Sequence, residues 1–589
     1  MKRFVCLFVL SLCLASSSLF GQEERVWNIE PTSSHWAREE GSLEISLDEN
    51  VKYEGVPCVK AIHKGRQDWN FTYSKALKVT PGEVYEISCP VRVEGSGNMG
   101  NSSIIQTGKK IVMYGYARTE TSDTAGQWKM LKSTFVVPRN ITSLCPRMTG
   151  AGEATVWFGP HKLRKLPPRT MLDANKTWTI ENSRLKVTLS ARDVSFSVLD
   201  KKTGRLWNQL ADSNVFFPSK VDATDSELTI EAFDAATLQD YRFGIRLDSE
   251  TNEIVATVDA VDHTTPIRQL YWPYSFASKE GDWLIIPFTE GFNFPVTDRG
   301  PCGRWNGYGG LSMAFCSQVE DTSGAGYVAI LETPDDAGVQ VLTSPVEANA
   351  PANSPALLLM RPVWEAQRRT FGYARSIRYS FFDQGRHVAA CKRYRRYAKE
   401  TGLLMSFEEK ARRNPALAEG LARLKGAANI WYFGRNKLDV FHDMLALGME
   451  HLLWSGGGKG DEIAEMNRSP HVLTSRYDIY QDLVDPALHS QLGGIPGSHL
   501  KGAWPKDIMW KDPEGTHTKG WHAPNKAPNK PRIPCDVLCD TKSLDYANRV
   551  IPEDLAKVPY TARFIDTTTS TPWRECWNPD HPMTRTDSR

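Results

Sequence analysis

The sequence lacks several features that would by themselves assign it to a broad class. Neither charge is in excess, because 71 Lys and Arg residues face 69 Asp and Glu residues and leave a net charge of +2. This balance provides no basic surface for nucleic acid. Beyond the N-terminus no stretch reaches the roughly 18 uninterrupted apolar residues of a membrane helix, so no membrane span is predicted. Cysteine is scarce, with eleven in 589 residues, which excludes a small disulfide-rich scaffold.

Tryptophan, in contrast, is abundant. The chain has 18 Trp residues, and aromatic residues make up 10% of the sequence. Aromatic rings stack on the C–H faces of sugars, so this excess favours a carbohydrate ligand. Large β domains also bury tryptophan, and a core position is the more common explanation for any single one. The length predicts three or four domains.

The first residues have the pattern of a secretory signal peptide. A basic N-terminus precedes an apolar core from Phe4 to Leu14, and small residues follow. The segment is too short to span a bilayer, and cleavage is predicted between Ser16 and Gln22. We assign residues 1–21 to the signal peptide and expect a secreted or periplasmic protein.

Nine cysteines remain after the predicted cleavage. They are sparse and odd in number, so at most one or two disulfides are expected after export. The candidate pairs are Cys58 with Cys89 and Cys302 with Cys316.

Residues 26–160 read as an all-β module. Short runs of alternating apolar residues, such as Tyr85–Gly95, are separated by Pro-Gly and Gly-Ser-Gly turns. The stretch DWNFTYSKALKVTPGEVYEISCPVRV and the closing EATVWFGP resemble secreted jelly-roll carbohydrate-binding modules. This resemblance implies that Trp69, Tyr73 and Trp157 line a sugar site, and the alternative is that they are core aromatics.

A second β-rich region is predicted over residues 172–382, after a basic, proline-containing linker at 161–169. TWTIENSRLKVTLS alternates between apolar and polar residues, and SFSVLDKKTGRLW predicts a hairpin. About 200 residues of strands with almost no helical period indicate one large two-sheet sandwich. WLIIPFTEGFNFP and RWNGYGGLSMAFCS resemble the sandwich that precedes the barrel in several secreted glycoside hydrolases.

The pattern then changes to helices and to alternating strands and helices. Over residues 384–426 apolar and aromatic residues recur at spacings of three and four, which predicts bridging helices. Residues 428–589 alternate strand and helix, which predicts a parallel (β/α) barrel or sheet. Four strands are expected, at residues 427–434, 451–457, 476–486 and 562–568.

The fourth strand carries the strongest functional signal. In VPYTARFIDTTTS, Asp566 follows an apolar, β-branched run and precedes four small hydroxyl residues. A buried parallel strand has this pattern where it ends at an active-site mouth. The following TPWRECWNPDHPMTR is rich in Trp, Arg, Glu and His, which is typical of the wall of a polar cleft. The alternative interpretation is an aspartate that caps a helix.

This order of signal peptide, jelly-roll module, β-sandwich, bridging helices and barrel resembles secreted retaining glycosidases, especially endo-α-N-acetylgalactosaminidase-like and α-galactosidase-like enzymes. In those families the nucleophile is an aspartate at the end of barrel strand four, which implies that role for Asp566. Glu575 is the nearest candidate for a second carboxylate. The expected substrate contacts are Trp454, Asp482, Asp485, Trp573, Arg574 and His581. A glycan substrate is expected, with no cofactor, metal or nucleic acid.

Hydrolysis of this type needs two carboxyl groups, one ionised and one with a raised pKa. The family's acid/base comes from a later strand, and a barrel takes roughly 250 residues, whereas residues 428–589 suffice for about four strands. We therefore expect an incomplete barrel that lacks the acid/base half, a chain that is a fragment, and no activity on α-glycosides. Asp482 and Asp485 follow Glu575 as candidates for the second carboxylate.

Other functional classes have less support in the sequence. His517, His522, Cys535 and Cys539 do not have the spacing of common zinc motifs. A serine hydrolase is disfavoured because there is no G-x-S-x-G and Ser455 has no assigned base. A polysaccharide lyase would need a Tyr or His base with a cationic partner, a grouping that we do not find. The main alternative to a glycosidase is a non-catalytic, secreted carbohydrate-binding protein.

Overall fold

The computed structural model describes residues 24–27, 33–211, 215–298, 300–344, 356–493, 508–567 and 571–589. The predicted signal peptide, residues 1–21, lies outside these ranges. Within them the protein is a multidomain assembly of β-sandwiches with few helices. None of the described helices combines the length and apolarity that crossing a bilayer requires.

The N-terminal region consists of two antiparallel sheets packed face to face. Their strand orders are β1-β13-β7-β12-β4-β3, with β10 added on β7, and β2-β5-β11-β8-β9, with β6 added on β11. Apolar side chains alternate along the strands and meet between the sheets in one core. The strands are β1 (Glu24–Trp27), β2 (Ser34–Ala37), β3 (Leu43–Tyr53), β4 (Val56–His63), β5 (Asp68–Thr72), β6 (Leu77–Lys78), β7 (Val84–Gly95), β8 (Asn98–Thr107), β9 (Lys110–Thr121), β10 (Lys129–Val136), β11 (Ser143–Ala151), β12 (Ala154–Phe158) and β13 (His161–Leu166).

A larger sandwich follows, with sheets of four, nine and four strands around a second core. The sheet orders are β14-β15-β16-β17, β18-β19-β20-β21-β30-β27-β26-β23-β24 and β22-β29-β28-β25. The strands are β14 (Thr177–Glu181), β15 (Leu185–Ser190), β16 (Phe196–Asp200), β17 (Leu206–Asn208), β18 (Phe216–Ala223), β19 (Glu227–Asp234), β20 (Asp240–Leu247), β21 (Glu253–Ala260), β22 (Gln269–Leu270), β23 (Asp282–Ile286), β24 (Phe292–Pro295), β25 (Gly303–Asn306), β26 (Phe315–Glu320), β27 (Gly326–Leu331), β28 (Ala337–Thr343), β29 (Leu358–Glu365) and β30 (Arg375–Phe382).

The predicted bridging region forms three helices, α1 (Arg386–Glu400), α2 (Phe407–Arg413) and α3 (Ala418–Leu424). Helix α1 packs on the nine-stranded sheet through Ala390 and the rings of Tyr394 and Tyr397. Its Arg393 forms an ion pair with Glu253 of β21. This buried contact fixes the start of the following region on the sandwich.

Four short strands then form a parallel sheet in the order β31-β32-β33-β37. The region contains β31 (Ala428–Ile430), α4 (Lys437–Ala446), β32 (Leu452–Trp454), α5 (Gly460–Met466), β33 (Val472–Ile479), β34 (Asp482–Leu483), β35 (Lys519–Ala523), β36 (Ile533–Val537), α6 (Asp540–Leu555), β37 (Ala562–Asp566) and α7 (Arg585–Ser588). The sequence predicts four parallel strands, and these four strands pair in parallel. Within the described residues they form an open sheet with β31 and β37 at its edges and do not close into a barrel.

The third strand differs from the prediction. It runs over Val472–Ile479, because the buried residues Val472 and Leu473 pair with β32. Asp482 belongs instead to the separate strand β34, which pairs antiparallel with β36. Strands β34, β36 and β35 form a small antiparallel sheet beside the parallel one.

Neither candidate disulfide is present, since all nine cysteines of the described residues are free thiols. Cys58 and Cys89 lie on β4 and β7, and strand β12 runs between these two strands. Strands two apart in a sheet are about 9–10 Å from each other, beyond the reach of a disulfide. Cys302 is exposed, whereas Cys316 lies in the sandwich core.

Candidate active site at the ends of the parallel strands

Asp566 is the last residue of β37 and pairs with Ile479, the last residue of β33. Its half-buried carboxylate accepts hydrogen bonds at both oxygens. The Tyr477 hydroxyl donates to Oδ2, and the Thr567 backbone N–H donates to Oδ1 at 2.8 Å. The structure therefore places this aspartate at the carboxyl end of a parallel strand, as the sequence predicts.

The residue after Asp566 has a strained backbone. Thr567 adopts a φ of 66°, in the left-handed region that β-branched residues rarely occupy. Strain of this kind concentrates at functional sites, where the surrounding structure enforces it. Here the turn aims the Thr567 N–H at the Asp566 carboxylate and fixes that carboxylate in place.

A second carboxyl group, that of Asp482, lies on the neighbouring strand β34 and is 2% exposed. Burial is the main cause that raises its pKa, and the negative charge of Asp566 raises it further. The Trp521 backbone N–H, which donates to Asp482 Oδ1 at 3.1 Å, and the Arg574 guanidinium act in the opposite direction. The two carboxyl groups are thus electrostatically coupled, and one of them is biased toward its protonated form.

The backbone packs closely around Asp482. A Cβ atom on Gly520 would lie 2.1 Å from Asp482 Oδ1, so any side chain at this position would displace the Asp482 carboxyl group. This close approach brings the N–H of the next residue, Trp521, onto the carboxyl group. The third predicted carboxylate, Asp485, has a different role, since its Oδ1 accepts from the Ala487 N–H at 3.0 Å and caps a 3₁₀ turn.

Four exposed aromatic rings form a cluster, of which Tyr477 contacts Asp566, and we call Trp431, Phe433, Tyr477 and Phe564 the aromatic platform. The Tyr477 and Phe564 rings stack with centroids 5.7 Å apart, and Trp431 meets Phe564 edge-on at 5.0 Å. Phe433 is 78% exposed. Exposed apolar patches of this kind mark binding sites. The sequence analysis singled out none of these four residues, although WYF at the end of the first strand was the signal that could have found the first two.

The expected substrate contacts fall into different environments. Trp454 is fully buried, packs on Phe441 and donates its indole N–H to the Gly457 carbonyl at 2.9 Å. The structure therefore corrects its role to that of a core residue, because its ring presents no surface to a ligand. Trp573 is partly exposed and lines a groove of about 890 Å³ between the large sandwich, α1 and residues 571–589.

Arg574 and Glu575 are neighbours in sequence with different surroundings. The Arg574 guanidinium donates to Gln481 Oε1 at 2.6 Å and lies close enough to Asp482 to lower its pKa. Glu575 turns toward the sandwich, where its Oε1 accepts from the Arg368 N–H at 2.6 Å and from Arg585 at 3.3 Å. Burial raises the pKa of Glu575, and Arg585 opposes this. Glu575 thus belongs to an ion-pair cluster between the large sandwich and the segment 571–589.

His581 lies in a buried cluster with two cysteines that could hold a metal. The ligand atoms of Cys539, Cys576 and His581 all lie within 4.8 Å of one another. Cys576 Sγ is 3.6 Å from His581 Nδ1, and Cys539 Sγ is 3.8 Å from Met583 Sδ. Among the zinc candidates weighed from the sequence only Cys539 takes part; His581 was expected to contact substrate, but it is buried among these sulfur atoms.

In the N-terminal sandwich the three predicted sugar contacts are all buried. Trp69 is a core residue, and Trp157 lies between the cations of Arg92 and Lys60. Tyr73 borders a shallow groove of about 370 Å³ on the six-stranded sheet.

That groove carries exposed residues that the sequence analysis missed. Tyr114 is 55% exposed, and the Arg147 guanidinium lies 5.5 Å from its ring centroid. Asn70 and Gln106 supply amide groups to the same groove. An exposed ring beside amides and a cation provides both the stacking surface and the hydrogen-bonding groups that a sugar needs.

Comparisons with known proteins give separate matches for the N-terminal sandwich and for the larger part of the chain. A family model described as a carbohydrate-binding domain matches residues 27–150. Two structures of α-N-acetylgalactosaminidase NagBb from Bifidobacterium bifidum, in complexes with Gal-NHAc-DNJ and with GalNAc, each align with a TM-score of 0.54 and 18% identity. The alignments cover 70% of this chain and 72% and 73% of the NagBb chain. No curated protein matches the sequence. The chain therefore has a carbohydrate-binding domain and shares the fold of an α-N-acetylgalactosaminidase.

Proposed function

We propose that this protein is a retaining glycosidase that acts on α-linked glycans ending in N-acetylgalactosamine or galactose. The observation that carries the proposal is the pair formed by Asp566 and Asp482. Asp566 is the last residue of a parallel strand. Asp482 is buried, and its pKa is raised by burial and by the charge of Asp566. Two carboxyl groups in contrasting environments are what glycoside hydrolysis by acid and nucleophile requires. The shared fold with NagBb supports the choice of sugar.

In the proposed reaction the Asp566 carboxylate attacks the anomeric carbon while protonated Asp482 gives its proton to the glycosidic oxygen. The bond from the anomeric carbon to that oxygen breaks, and a glycosyl ester of Asp566 forms. Asp482, now ionised, takes a proton from water, whose oxygen attacks the anomeric carbon and releases Asp566. Net retention results from the two inversions. Asp482, which the sequence analysis ranked after Glu575 as a candidate second carboxylate, thereby takes the acid/base role, and this proposal replaces the expectation of an inactive chain.

The chain's other side chains have positioning roles in this proposal. Tyr477 and the Thr567 N–H hold the two oxygens of Asp566 and so fix the direction of attack. The aromatic platform provides a face on which a sugar ring stacks. Arg574 keeps the Asp482 pKa from rising further, so the acid can lose its proton during each turnover.

Hydrolysis of 4-nitrophenyl α-N-acetylgalactosaminide and α-galactoside by the 589-residue protein tests the proposal. We expect turnover with retention, followed by proton NMR of the first-formed anomer, and a loss of at least about 1,000-fold in Asp566→Asn. Asp485→Asn, a capping aspartate two residues after β34, is the matched control and should keep near wild-type rates. Equal rates for wild type and Asp566→Asn would contradict the proposal.

The match to a carbohydrate-binding domain at residues 27–150 favours a second function, glycan binding without cleavage. A protein with only this function would retain oligosaccharides on an affinity gel but release no sugar from either chromogenic substrate. Export is also proposed, and mass spectrometry of secreted protein should find a mature chain that begins near Gln22.

A further inference from the structure

We propose that Cys539, Cys576 and His581 bind one soft metal ion, Zn²⁺ or Cu⁺, which joins the start of α6 to the segment 571–589. This site is independent of the proposed glycosidase function. Its ligands come from two chain segments, and all three are buried. Thiolate and imidazole are the donors that these ions prefer.

Two separations within the cluster equal those of tetrahedral coordination, and the Cys539, Cys576 and His581 ligand atoms all lie within 4.8 Å of one another. With metal–sulfur bonds of about 2.3 Å and metal–nitrogen bonds of about 2.0–2.1 Å, tetrahedral angles place sulfur and nitrogen ligands about 3.6 Å apart and two sulfur ligands about 3.8 Å apart. Cys576 Sγ and His581 Nδ1 are 3.6 Å apart, and Cys539 Sγ and Met583 Sδ are 3.8 Å apart. The Met583 thioether is thus at the separation from Cys539 that a fourth ligand would have.

The loop that carries three of these donors is closed by its own backbone. Cys576 and Met583 form an antiparallel bridge, with N–H to carbonyl distances of 2.9 and 3.1 Å. The bridge holds both sulfur atoms on one side of a tight turn that also contains His581. Cys539 completes the set from the N-cap of α6.

A partner for the second ring nitrogen of His581 is also present. The Asn578 side-chain amide lies 2.8 Å from His581 Nε2. Metal binding at Nδ1 puts the ring proton on Nε2, so the Asn578 amide must then turn its oxygen toward His581 and give up the hydrogen bond that this oxygen accepts from the Asp580 N–H at 3.2 Å. Histidine ligands of metals regularly donate their other N–H to such an acceptor.

The location of the site gives the ion a structural role. Cys539 and Cys576 lie on either side of helix α6 and strand β37, so an ion held by both closes a loop that contains Asp566. Because the full ligand set comes together only in the folded chain, the binding free energy of the ion adds to the free energy of unfolding. The same ion anchors the residues just after Arg574, which lies beside Asp482.

Metal content tests the proposal directly. Reduced, metal-free protein is given one equivalent of ZnCl₂, desalted and analysed by plasma mass spectrometry. We expect about one zinc per chain in the wild type and at least tenfold less in Cys576→Ser and His581→Gln. Cys535→Ser is the matched control, since Cys535 is also buried and four residues from Cys539 but belongs to a different apolar cluster; it should keep the full equivalent. Loading with Co²⁺ in place of zinc should give thiolate-to-cobalt absorption in the near ultraviolet.

A second measurement uses only the wild type, so it does not depend on the folding of variants. Zinc should slow alkylation of Cys539 and Cys576 by iodoacetamide at least tenfold and leave the exposed Cys302 and Cys391 unaffected. In Met583→Leu, loss of Cu⁺ binding with retained zinc would identify the thioether as a copper ligand, and unchanged binding of both ions would assign the site to the three other donors; each supports a metal site. Absence of bound metal with zinc-independent alkylation, or a Cys539–Cys576 disulfide that persists in the reduced preparation, would overturn the proposal.

Discussion

The Tyr477 hydroxyl donates a hydrogen bond to Asp566 Oδ2 across two neighbouring parallel strands. Burial, and then this hydrogen bond, raises the pKa of Tyr477, so the phenol stays protonated and remains a donor. The ring of the same residue stacks on Phe564 in the aromatic platform. One side chain thus connects the surface proposed to bind sugar with the carboxylate proposed to attack it.

Removal of this hydroxyl is the first prediction. Tyr477→Phe keeps the ring and the platform but deletes the hydrogen bond to Asp566. Because a hydrogen bond to a charged group contributes about 1.5–3 kcal/mol, kcat should fall about 10–100-fold with little change in KM. Steady-state kinetics on the aryl glycosides measures both constants.

The matched control is Tyr480→Phe, which deletes a hydrogen bond of 3.0 Å to Asp478, a residue of the adjacent structural ion-pair cluster. It should lower thermal stability and leave kcat near the wild-type value. Equal loss of kcat in the two variants would show that Tyr477 acts only through general stability.

The second prediction distinguishes the acid/base role of Asp482 from the nucleophile role of Asp566 by comparing substrates with different leaving groups. In Asp482→Ala, hydrolysis of an unactivated glycoside should fall by about 100–10,000-fold, because its leaving oxygen needs a proton. The first step with a 2,4-dinitrophenyl glycoside should change little, since that leaving group departs without one. Added azide should rescue turnover and give a glycosyl azide of retained configuration. A loss that is the same for both substrates would contradict an acid/base role.

The third prediction concerns pH and stability. The pKa of Asp482 is raised in the folded protein, chiefly by burial. Below the pKa of the unfolded chain both states are protonated and the residue has no effect on stability; as the pH rises toward the folded-state value, the unfolded state is favoured. Asp482→Asn keeps the Oδ1 acceptor for Trp521 and removes this penalty. Its melting temperature should therefore exceed that of the wild type at pH 7, by about 2–4 °C per kcal/mol, with a difference that vanishes near pH 3.

The fourth prediction compares two arginines of the segment 571–589. The Arg585 side chain is 16% exposed and pairs with Asp336, whose own side chain is fully buried, and with Glu575. Arg585→Ala leaves both carboxylates without this partner and should cost about 3–5 kcal/mol. Arg589 also pairs with the sandwich, through Asp335 at 3.0 Å, but its side chain is 42% exposed, so Arg589→Ala should cost no more than about 1 kcal/mol. Hydrogen exchange of residues 571–589 measures the difference, and similar protection in both variants would refute it.

The fifth prediction locates sugar binding in the N-terminal sandwich. Tyr114→Ala should weaken oligosaccharide binding about 2–10-fold, since a stacked aromatic contributes about 0.5–1.5 kcal/mol. Trp157→Phe, a change on the other sheet of the same sandwich, should leave affinity unchanged. Titration calorimetry with the full chain provides the comparison; a stronger effect at Trp157 would move the site to that sheet.

The sequence predicted those parts of the fold that depend on local pattern. Alternation identified both sandwiches, and the apolar run before Asp566 placed that residue at a strand end, because these signals lie within a few residues. The limits of the third strand were missed since Val472 and Leu473 are apolar without alternation, and Asp482 was assigned to the wrong strand as a result. Such runs become strands through long-range pairing.

The candidate site was predicted only in part for the same reason. Asp566 is recognisable from its own neighbours, whereas the backbone that surrounds the buried Asp482 carboxyl group comes from Gly520 and Trp521, which lie almost forty residues further along. Likewise Cys539 and Cys576 have no zinc-motif spacing and meet only because α6 and β37 fold back between them. Aromatic residues were judged by type alone, so buried Trp454 and Trp69 were chosen over exposed Trp431 and Tyr114.

The dense contacts of the segment 571–589 with the large sandwich have a consequence for the order of folding. Trp573 donates its backbone N–H to Tyr308, and Arg585 reaches Asp336 across 249 residues of sequence. The ribosome releases the sandwich long before it releases this segment, so the receiving surface can be complete when the segment appears. Contacts of such long range form slowly when an unfolded chain must find them all at once. Refolding from denaturant should therefore recover the site at the strand ends less completely than synthesis from the N-terminus does.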